Sequence, residues 1–254
     1  MRTANPALNA ETFKAAPIYG SRDEAMTVNG TVNRTAILLA IAVVTATFAW
    51  EQSVQDSADW GGAQTFVPTP WIFVGMIGGL IAAIATIVKK NWAPITAPIY
   101  AAFEGLLLAG VSAGFNVMYP GIVMQAVIGT FGTLAALLFA YRSGIIRATD
   151  NFKRGVFAAT GGIALLYLVG FVMSFFGAGI PYIHESGMIG IGFSLFVVAV
   201  AALNLVLDFD FIEHGAARGA PKYFEWYAAF GLLVTLVWLY FEMLRLLAKM
   251  RDRR

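Results

Sequence analysis

Residues 188–207 read MIGIGFSLFVVAVAALNLVL, a stretch of 20 residues without a charged side chain. An α-helix of about 20 apolar residues is long enough to cross a hydrocarbon core about 30 Å thick. Comparable stretches recur along the chain and predict seven transmembrane helices, at residues 36–50, 71–88, 95–115, 121–141, 156–176, 188–207 and 226–247. The predicted fold class is therefore an all-α integral membrane protein, a seven-helix bundle.

The composition of the chain supports the same prediction. Of its 254 residues, 59% are hydrophobic and 13% are charged, whereas soluble domains average about 45–50% apolar and about 25% charged residues. The lipid bilayer is thus the first expected partner. The net charge is only +2 and no basic cluster is interleaved with aromatic residues, which excludes nucleic acid as a partner.

Several kinds of chemistry lack the residues that they need. The chain has no cysteine, which excludes disulfides, thiolate zinc sites and cysteine nucleophiles. It has no HExxH or P-loop motif. Every lysine is expected in a loop or a tail, so none is available in mid-span for a retinal Schiff base. We therefore expect neither an enzyme nor a bound cofactor.

Lysine and arginine predict the orientation of the chain. With the N-terminus in the cytoplasm, the inner loops carry these residues and the outer loops carry none, as the positive-inside rule requires. The predicted organisation is a polar cytoplasmic tail at 1–33, a transmembrane domain at 34–247 and a basic tail at 248–254. The basic tail would lie outside, so the seventh segment either crosses or re-enters and returns. We favour crossing, because the earlier loops agree.

Acidic residues follow the uncharged stretch directly, where residues 208–215 read DFDFIEHG. Asp208, Asp210 and Glu213 fit two interpretations. They form a water-facing end of the sixth helix, where a carboxylate costs little, or they supply oxygen ligands at the mouth of an ion path. Their spacing leaves both interpretations open.

Two further acids bracket the seventh segment. Glu225 and Glu242 enclose 16 residues, about 24 Å of helix, which is shorter than the hydrocarbon core. One of the two is therefore expected below the membrane interface. Arg245 follows Glu242 by one turn and offers an interfacial ion pair. Glu225 shares the inner side of the membrane with Asp208, so those two acids are expected to converge.

Glu104 is the most unusual acid, because it has about ten apolar residues on each side in PIYAAFEGLLLAGVSAGF, residues 98–115. An ionised carboxylate at such depth is costly and normally faces a protein interior or a water-filled cavity. Two interpretations remain for Glu104. It is a neutral acid bonded to a neighbouring helix, or it belongs to a transport path.

Three segments of the chain resemble the Bax inhibitor-1 family, in its bacterial Bax-inhibitor-1/YccA-like branch. They are residues 26–35, MTVNGTVNRT, residues 97–113, APIYAAFEGLLLAGVSA, and residues 202–247, from ALNLVLDFDFIEHG to LYFEMLRLL. The resemblance implies a fold in which six helices surround a central last helix. It also implies a pH-sensitive calcium leak across the inner membrane, with one sensing acid on the sixth helix and one on the seventh.

The residues match that pattern only in part. Asp208 matches the sixth-helix acid through LVLDF, but the middle of the seventh helix reads LLVTLVW and has no acid. Glu225 and Glu242, on either side, are the nearest candidates. Carboxylates suit calcium, a hard cation that takes about 6–8 oxygen ligands, so Asp208 and Glu225 are also the predicted metal ligands.

The resulting prediction is a pH-sensitive calcium leak channel of the bacterial inner membrane. Asp208, Glu225 and Glu104 would line or gate the path, with Asp210, Glu213 and Glu242 as further candidates. Calcium is expected as the transported ion. The alternative is a membrane regulatory protein that binds and modulates a partner, such as a quality-control protease, through its polar N-terminal tail or its loops.

Overall fold

The computed structural model describes residues 25–57, 63–177 and 187–253, and most of them are helical. Among these residues, seven helices are long and apolar enough to span a membrane. They are α1 Val28–Ser53, α2 Pro70–Val88, α3 Ala93–Met118, α4 Ile122–Arg142, α5 Asp150–Ser174, α6 Met188–Ala217 and α7 Phe224–Asp252. The predicted seven-helix membrane fold is confirmed.

Short polar residues set several helix ends. Thr27 caps α1, where its hydroxyl accepts a hydrogen bond from the Gly30 backbone N–H. Thr149 caps α5 in the same way, and Pro70 is the first residue of α2. Such residues satisfy or dispense with the free N–H groups of a first helical turn. Gly219 has a φ of +65° just after α6, a conformation that glycine adopts at low cost.

The helices extend beyond the apolar stretches that predicted them. α1 begins at Val28 rather than at residue 36, α6 continues through the acids to Ala217, and α7 runs from Phe224 to Asp252. Residues 208–215 therefore belong to the last turns of α6, at the helix end where the prediction placed them. Hydropathy marks the part of a helix that is apolar enough for the hydrocarbon core, whereas the helix itself ends only where its backbone hydrogen bonds end.

The seventh helix is continuous from Phe224 to Asp252. It has 29 residues, a length of about 44 Å at about 1.5 Å per residue. A helix of this length can cross a hydrocarbon core of about 30 Å, and it contains no break at which the chain could turn back. Of the most apolar 18 residues of α7, 61% are buried, the largest share among the seven helices.

A short hairpin between α1 and α2 was not predicted. Strands β1 Val54–Ser57 and β2 Ala63–Phe66 pair antiparallel, with Val54 opposite Phe66. Residues 1–24, which make up most of the predicted polar tail at 1–33, lie outside the described residues.

The chain forms two compact units. The N-terminal unit contains α1, the hairpin, α2, α3 and residues 212–233, which include the end of α6 and the start of α7. The C-terminal unit contains residues 124–142 of α4, all of α5, residues 188–211 of α6 and residues 234–252 of α7.

In the N-terminal unit, glycines bring α3 close to its two neighbours. A Cβ at Gly75 of α2 would lie 2.6 Å from the Leu107 backbone nitrogen of α3. A Cβ at Gly105 of α3 would collide with the Ala42 carbonyl oxygen of α1. Small residues of this kind let helix backbones approach in membranes, so α3 is held tightly between α1 and α2.

In the C-terminal unit, α5 and α6 pack antiparallel along one apolar stripe. Ile163 contacts Val197 and Val200, and, closer to the start of α5, Val156 contacts Leu207. Asn204 bridges the same helices, because its side-chain nitrogen donates to the Thr160 hydroxyl at 2.9 Å. This register determines which residue of α5 lies opposite the acids of α6.

Candidate functional site

Five acids are buried among the described residues: Glu104, Asp208, Asp210, Glu225 and Glu242. All five were singled out from the sequence, whereas the sixth candidate, Glu213, is exposed. We call these residues the five buried acids. A buried carboxylate is costly unless it is paired or hydrogen-bonded, so the partners of each acid indicate what it does.

Glu104 lies in the N-terminal unit with a neutral partner. The Tyr100 hydroxyl, one turn earlier on α3, forms a hydrogen bond with its carboxylate. A Cβ at Gly79 of α2 would lie 3.5 Å from Glu104 Oε2, so the carboxylate faces the α2 backbone. Within the described part of the chain, no Lys or Arg nitrogen lies within 4.0 Å of it.

Glu225 is held by the start of α1, also in the N-terminal unit. Its Oε1 accepts hydrogen bonds from the Thr27 backbone N–H at 3.0 Å and from the Thr27 hydroxyl at 2.9 Å. Arg34 Nε lies 3.9 Å from Oε2, and Lys222 Nζ lies 3.7 Å from Oε1. A Cβ at Gly30 would collide with this carboxylate. We call Thr27, Gly30, Arg34, Lys222 and Glu225 the N-terminal latch.

Backbone contacts extend the N-terminal latch. The Met26 N–H donates to the Ala220 carbonyl at 2.6 Å, and Ala25 forms an antiparallel bridge with Pro221. The Arg34 guanidinium also lies 4.8 Å from the centre of the Trp226 ring. The chain entering α1 is thus fastened to the connection between α6 and α7.

Asp210 lies in the C-terminal unit and is paired with a lysine. Lys153 Nζ is 2.6 Å from Asp210 Oδ2, and both side chains are more than nine-tenths buried. This contact continues the register that pairs Val156 with Leu207. Lys153 lies in the first turn of α5, so the expectation that every lysine lies in a loop or a tail was wrong for this residue.

Asp208 occupies a different face of α6. Residues two apart on a helix do not face each other, so Asp208 points away from the face where Asp210 meets α5. Its own face includes Ala201 and Leu205, and all three residues are completely buried. The prediction that a solvated helix end surrounds Asp208 and Asp210 is therefore wrong for these two residues, and it holds only for the exposed Glu213.

Glu242 is paired as its sequence neighbour suggested. Arg245 Nη1 donates to Oε1 at 2.8 Å, and the Tyr167 hydroxyl of α5 lies 3.0 and 3.1 Å from the two carboxylate oxygens. Arg245 also lies over the Tyr167 ring at 5.2 Å. The predicted Glu242–Arg245 ion pair is confirmed, and Tyr167 ties it to α5.

The basic end of α7 is fastened in the same unit. Lys249 Nζ donates to the Gly190 carbonyl at 3.1 Å and to the Ser194 hydroxyl at 2.9 Å. Arg251 donates to the Gln125 side-chain oxygen at 3.1 Å. The partners lie at the starts of α4 and α6, so the end of α7 lies beside the starts of those two helices.

No preformed metal cage exists among the described residues. No group of three or more His, Asp or Glu side chains is placed there to hold a metal ion. The carboxylates of Asp208 and Glu225, the predicted metal ligands, belong to different units. The contacts of Glu225 are instead with hydrogen-bond donors and cationic side chains.

The sequence supplied the buried acids but not their partners. Lys153 was missed because it follows the Arg-rich α4–α5 connection, so the sequence predicted it to be one of the charged residues of that inner loop. Its signal was the position three residues before Val156, on the apolar stripe of α5. Tyr100 had a simpler signal, since it lies one helical turn before Glu104.

A family comparison agrees with this fold. The model of a family described as Bax inhibitor 1 like matches residues 5–252. The chain belongs to the Bax inhibitor 1 like family. The comparison with curated proteins gave no match.

This Bax inhibitor 1 like protein departs from the last-helix pattern that the resemblance implied. The middle of α7, where that pattern has an acid, contains the buried Thr235. The two buried acids of the helix lie in its first turn, at Glu225, and near its end, at Glu242.

Proposed function

We propose that this member of the Bax inhibitor 1 like family is a pH-sensitive leak channel for calcium and other cations. Cations bind to the carboxylates of Glu104 and Asp208 as they cross the membrane. The proposal places the protein in a bacterial inner membrane with its N-terminus in the cytoplasm, and it involves no catalytic step and no resident cofactor.

The observation that carries the proposal is the partner of Glu104. Three of the five buried acids have a cationic side chain within 4.0 Å: Asp210, Glu225 and Glu242. Glu104 has a tyrosine hydroxyl instead. A carboxylate within a membrane-spanning helix is stable without a fixed cation if it binds a proton or a passing cation. Exchange between those two would make the flux sensitive to pH.

Asp208 is the second acid of the proposed path. Its carboxylate is completely buried within a membrane-spanning helix, on a face that the Lys153–Asp210 pair does not occupy. Conduction requires sites that bind a cation strongly enough for it to enter and weakly enough for it to leave. Separate carboxylates of this kind suit a leak better than a closed cage would.

Calcium entry into liposomes that contain an internal indicator tests the proposal. We expect entry well above that of protein-free liposomes, with a rate that changes between pH 6 and pH 8. Asp208→Asn and Glu104→Gln should each reduce the rate at least about tenfold, whereas Glu213→Gln, which changes an exposed acid of α6, should not. Wild-type protein without flux would refute the function, and normal flux in both variants would refute the residue assignment.

A second candidate function is regulation through a partner protein. The N-terminal latch supports it, because a partner that pulled on the tail preceding Ala25 would act directly on the start of α7. Deleting residues 2–24 should then abolish co-purification of a membrane-protein partner, such as a quality-control protease, and leave calcium flux intact. Unchanged co-purification would count against this candidate.

A further inference from the structure

Lys153 has an unusual place for a lysine. It lies in the first turn of α5, it is 5% exposed, and its neighbour Arg154 is exposed. A cation at the start of a helix is disfavoured by the helix dipole, and burial adds a desolvation cost. A residue that is unfavourable for two reasons must be compensated by a specific partner.

The partner is Asp210, and the packing of α5 on α6 fixes the contact. The helices meet at Ile163 with Val200, at Thr160 with Asn204 and at Val156 with Leu207. Lys153 and Asp210 are the next pair in this register, and their charged atoms are 2.6 Å apart. The ammonium therefore occupies the position in which a free cation would bind Asp210.

Asp210 is also close to the proposed path. Cα atoms two residues apart on a helix are separated by about 5.4 Å, so Asp208 and Asp210 are neighbours along α6 even though they face different ways. At about 10 Å and in partly buried surroundings, one unit charge changes the occupancy of a cation site on the order of tenfold. The charge at Asp210 is thus felt at Asp208.

We propose that Lys153 is a built-in counter-cation that occupies Asp210 and thereby limits the conduction of calcium past Asp208. The inference rests on the proposed leak function. It assigns a role in setting the rate to a residue of α5, in addition to the acids of α6 and α3. In this account the side-chain ammonium competes with the transported cation for the same carboxylate.

If the Lys153–Asp210 ion pair only held α5 against α6, as a structural clamp, the flux of the variants would change differently. Breaking a clamp loosens the structure equally from either side, so removal of either partner would change the flux in the same direction. A counter-cation acts through its charge. Its removal leaves the negative charge of Asp210 unbalanced by Lys153 and so attracts calcium, whereas removal of Asp210 leaves a positive charge that repels calcium from Asp208.

Calcium flux at pH 7.5, normalised to the amount of monodisperse protein in the liposomes, separates the two accounts. We expect Lys153→Gln and Lys153→Met to raise the flux at least about threefold, and Asp210→Asn to lower it or leave it unchanged. Lys153→Arg should behave as wild type, because it keeps the charge. The matched control is Arg154→Gln, which removes an adjacent exposed cation and should have no effect.

Two patterns of calcium flux would contradict a role of Lys153 as counter-cation. Equal increases in Lys153→Gln and Asp210→Asn, or wild-type flux in both Lys153→Gln and Lys153→Met, would overturn the inference. Should the single variants fold poorly, the double variant Lys153→Gln/Asp210→Asn removes both charges together. Its flux should be below that of Lys153→Met, and a higher flux would count against the inference. Absence of flux in the wild type would instead refute the proposed function itself.

Discussion

Glu104 and Asp210 are both buried acids on membrane-spanning helices, yet their partners differ. Asp210 lies 2.6 Å from a lysine ammonium, whereas Glu104 is bonded to a tyrosine hydroxyl. The first acid has its charge balanced by the protein, and the second does not. Burial alone therefore does not distinguish Glu104, which we propose to be functional, from Asp210, and the charge of the partner is the better criterion.

The largest expected difference between the two acids is in stability. Asp210→Asn removes the ionic partner of a buried lysine, and the loss of one member of a buried pair costs about 3–5 kcal/mol. Glu104→Gln keeps a hydrogen-bonding group of similar size and should cost about 1 kcal/mol or less. Thermal unfolding of both variants in detergent measures this difference. Equal losses would contradict the distinction between the two acids.

The N-terminal latch extends the comparison to an acid with several partners. Gly30→Ala would place a Cβ against the Glu225 carboxylate, and we expect a loss of about 2 kcal/mol as the hydrogen bonds from Thr27 break. The direction of the change in stability is informative, because alanine is otherwise about 1 kcal/mol more favourable than glycine within a helix. A Gly30→Ala variant that unfolds at a higher temperature than wild type would show that the contact contributes little.

Replacing the tyrosine partner of each acid should have a smaller effect, but it separates Glu104 from Glu242 more specifically. Because the Tyr100 hydroxyl is the hydrogen-bond partner of Glu104, Tyr100→Phe should disturb this carboxylate and lower calcium flux at neutral pH about threefold or more. Tyr167→Phe is the matched control, since Glu242 keeps Arg245 at 2.8 Å. Flux measured in parallel liposome preparations should fall only for Tyr100→Phe. A similar fall for both would show a general effect of losing a buried hydroxyl.

The smallest expected effect is at Glu213, which is exposed at the end of α6. Glu213→Gln should change the stability of the protein by no more than about 0.5 kcal/mol, as is usual for surface positions. Unfolding in the same detergent provides the measurement. A large loss of stability would show that the acids of this segment act as one group.

The seven helices were predictable from the sequence because apolar length is a property of each segment by itself. Glu104 and Asp208 stood out for the same reason, since a lone acid in or next to an apolar run is visible along the chain. The continuation of α6 through Asp210 was less visible, because a buried polar helix turn and a solvated one have the same composition.

The partners of the acids depend on how helices distant in sequence are packed. Lys153 and Asp210 are separated by 57 positions, and Thr27 and Glu225 by 198. Nothing in the local pattern of either residue specifies the other. Only the register of α5 on α6, or the path of the chain into α1, brings each pair together.

Calcium flux through Glu104→Gln is the most direct test of the central claim, that the acid without a cationic partner serves the transport path. In liposomes matched for protein content, the account predicts a rate at least about tenfold below that of the wild type, with little remaining dependence on pH. A Glu104→Gln protein that conducts calcium at the wild-type rate and with the wild-type pH dependence would contradict it.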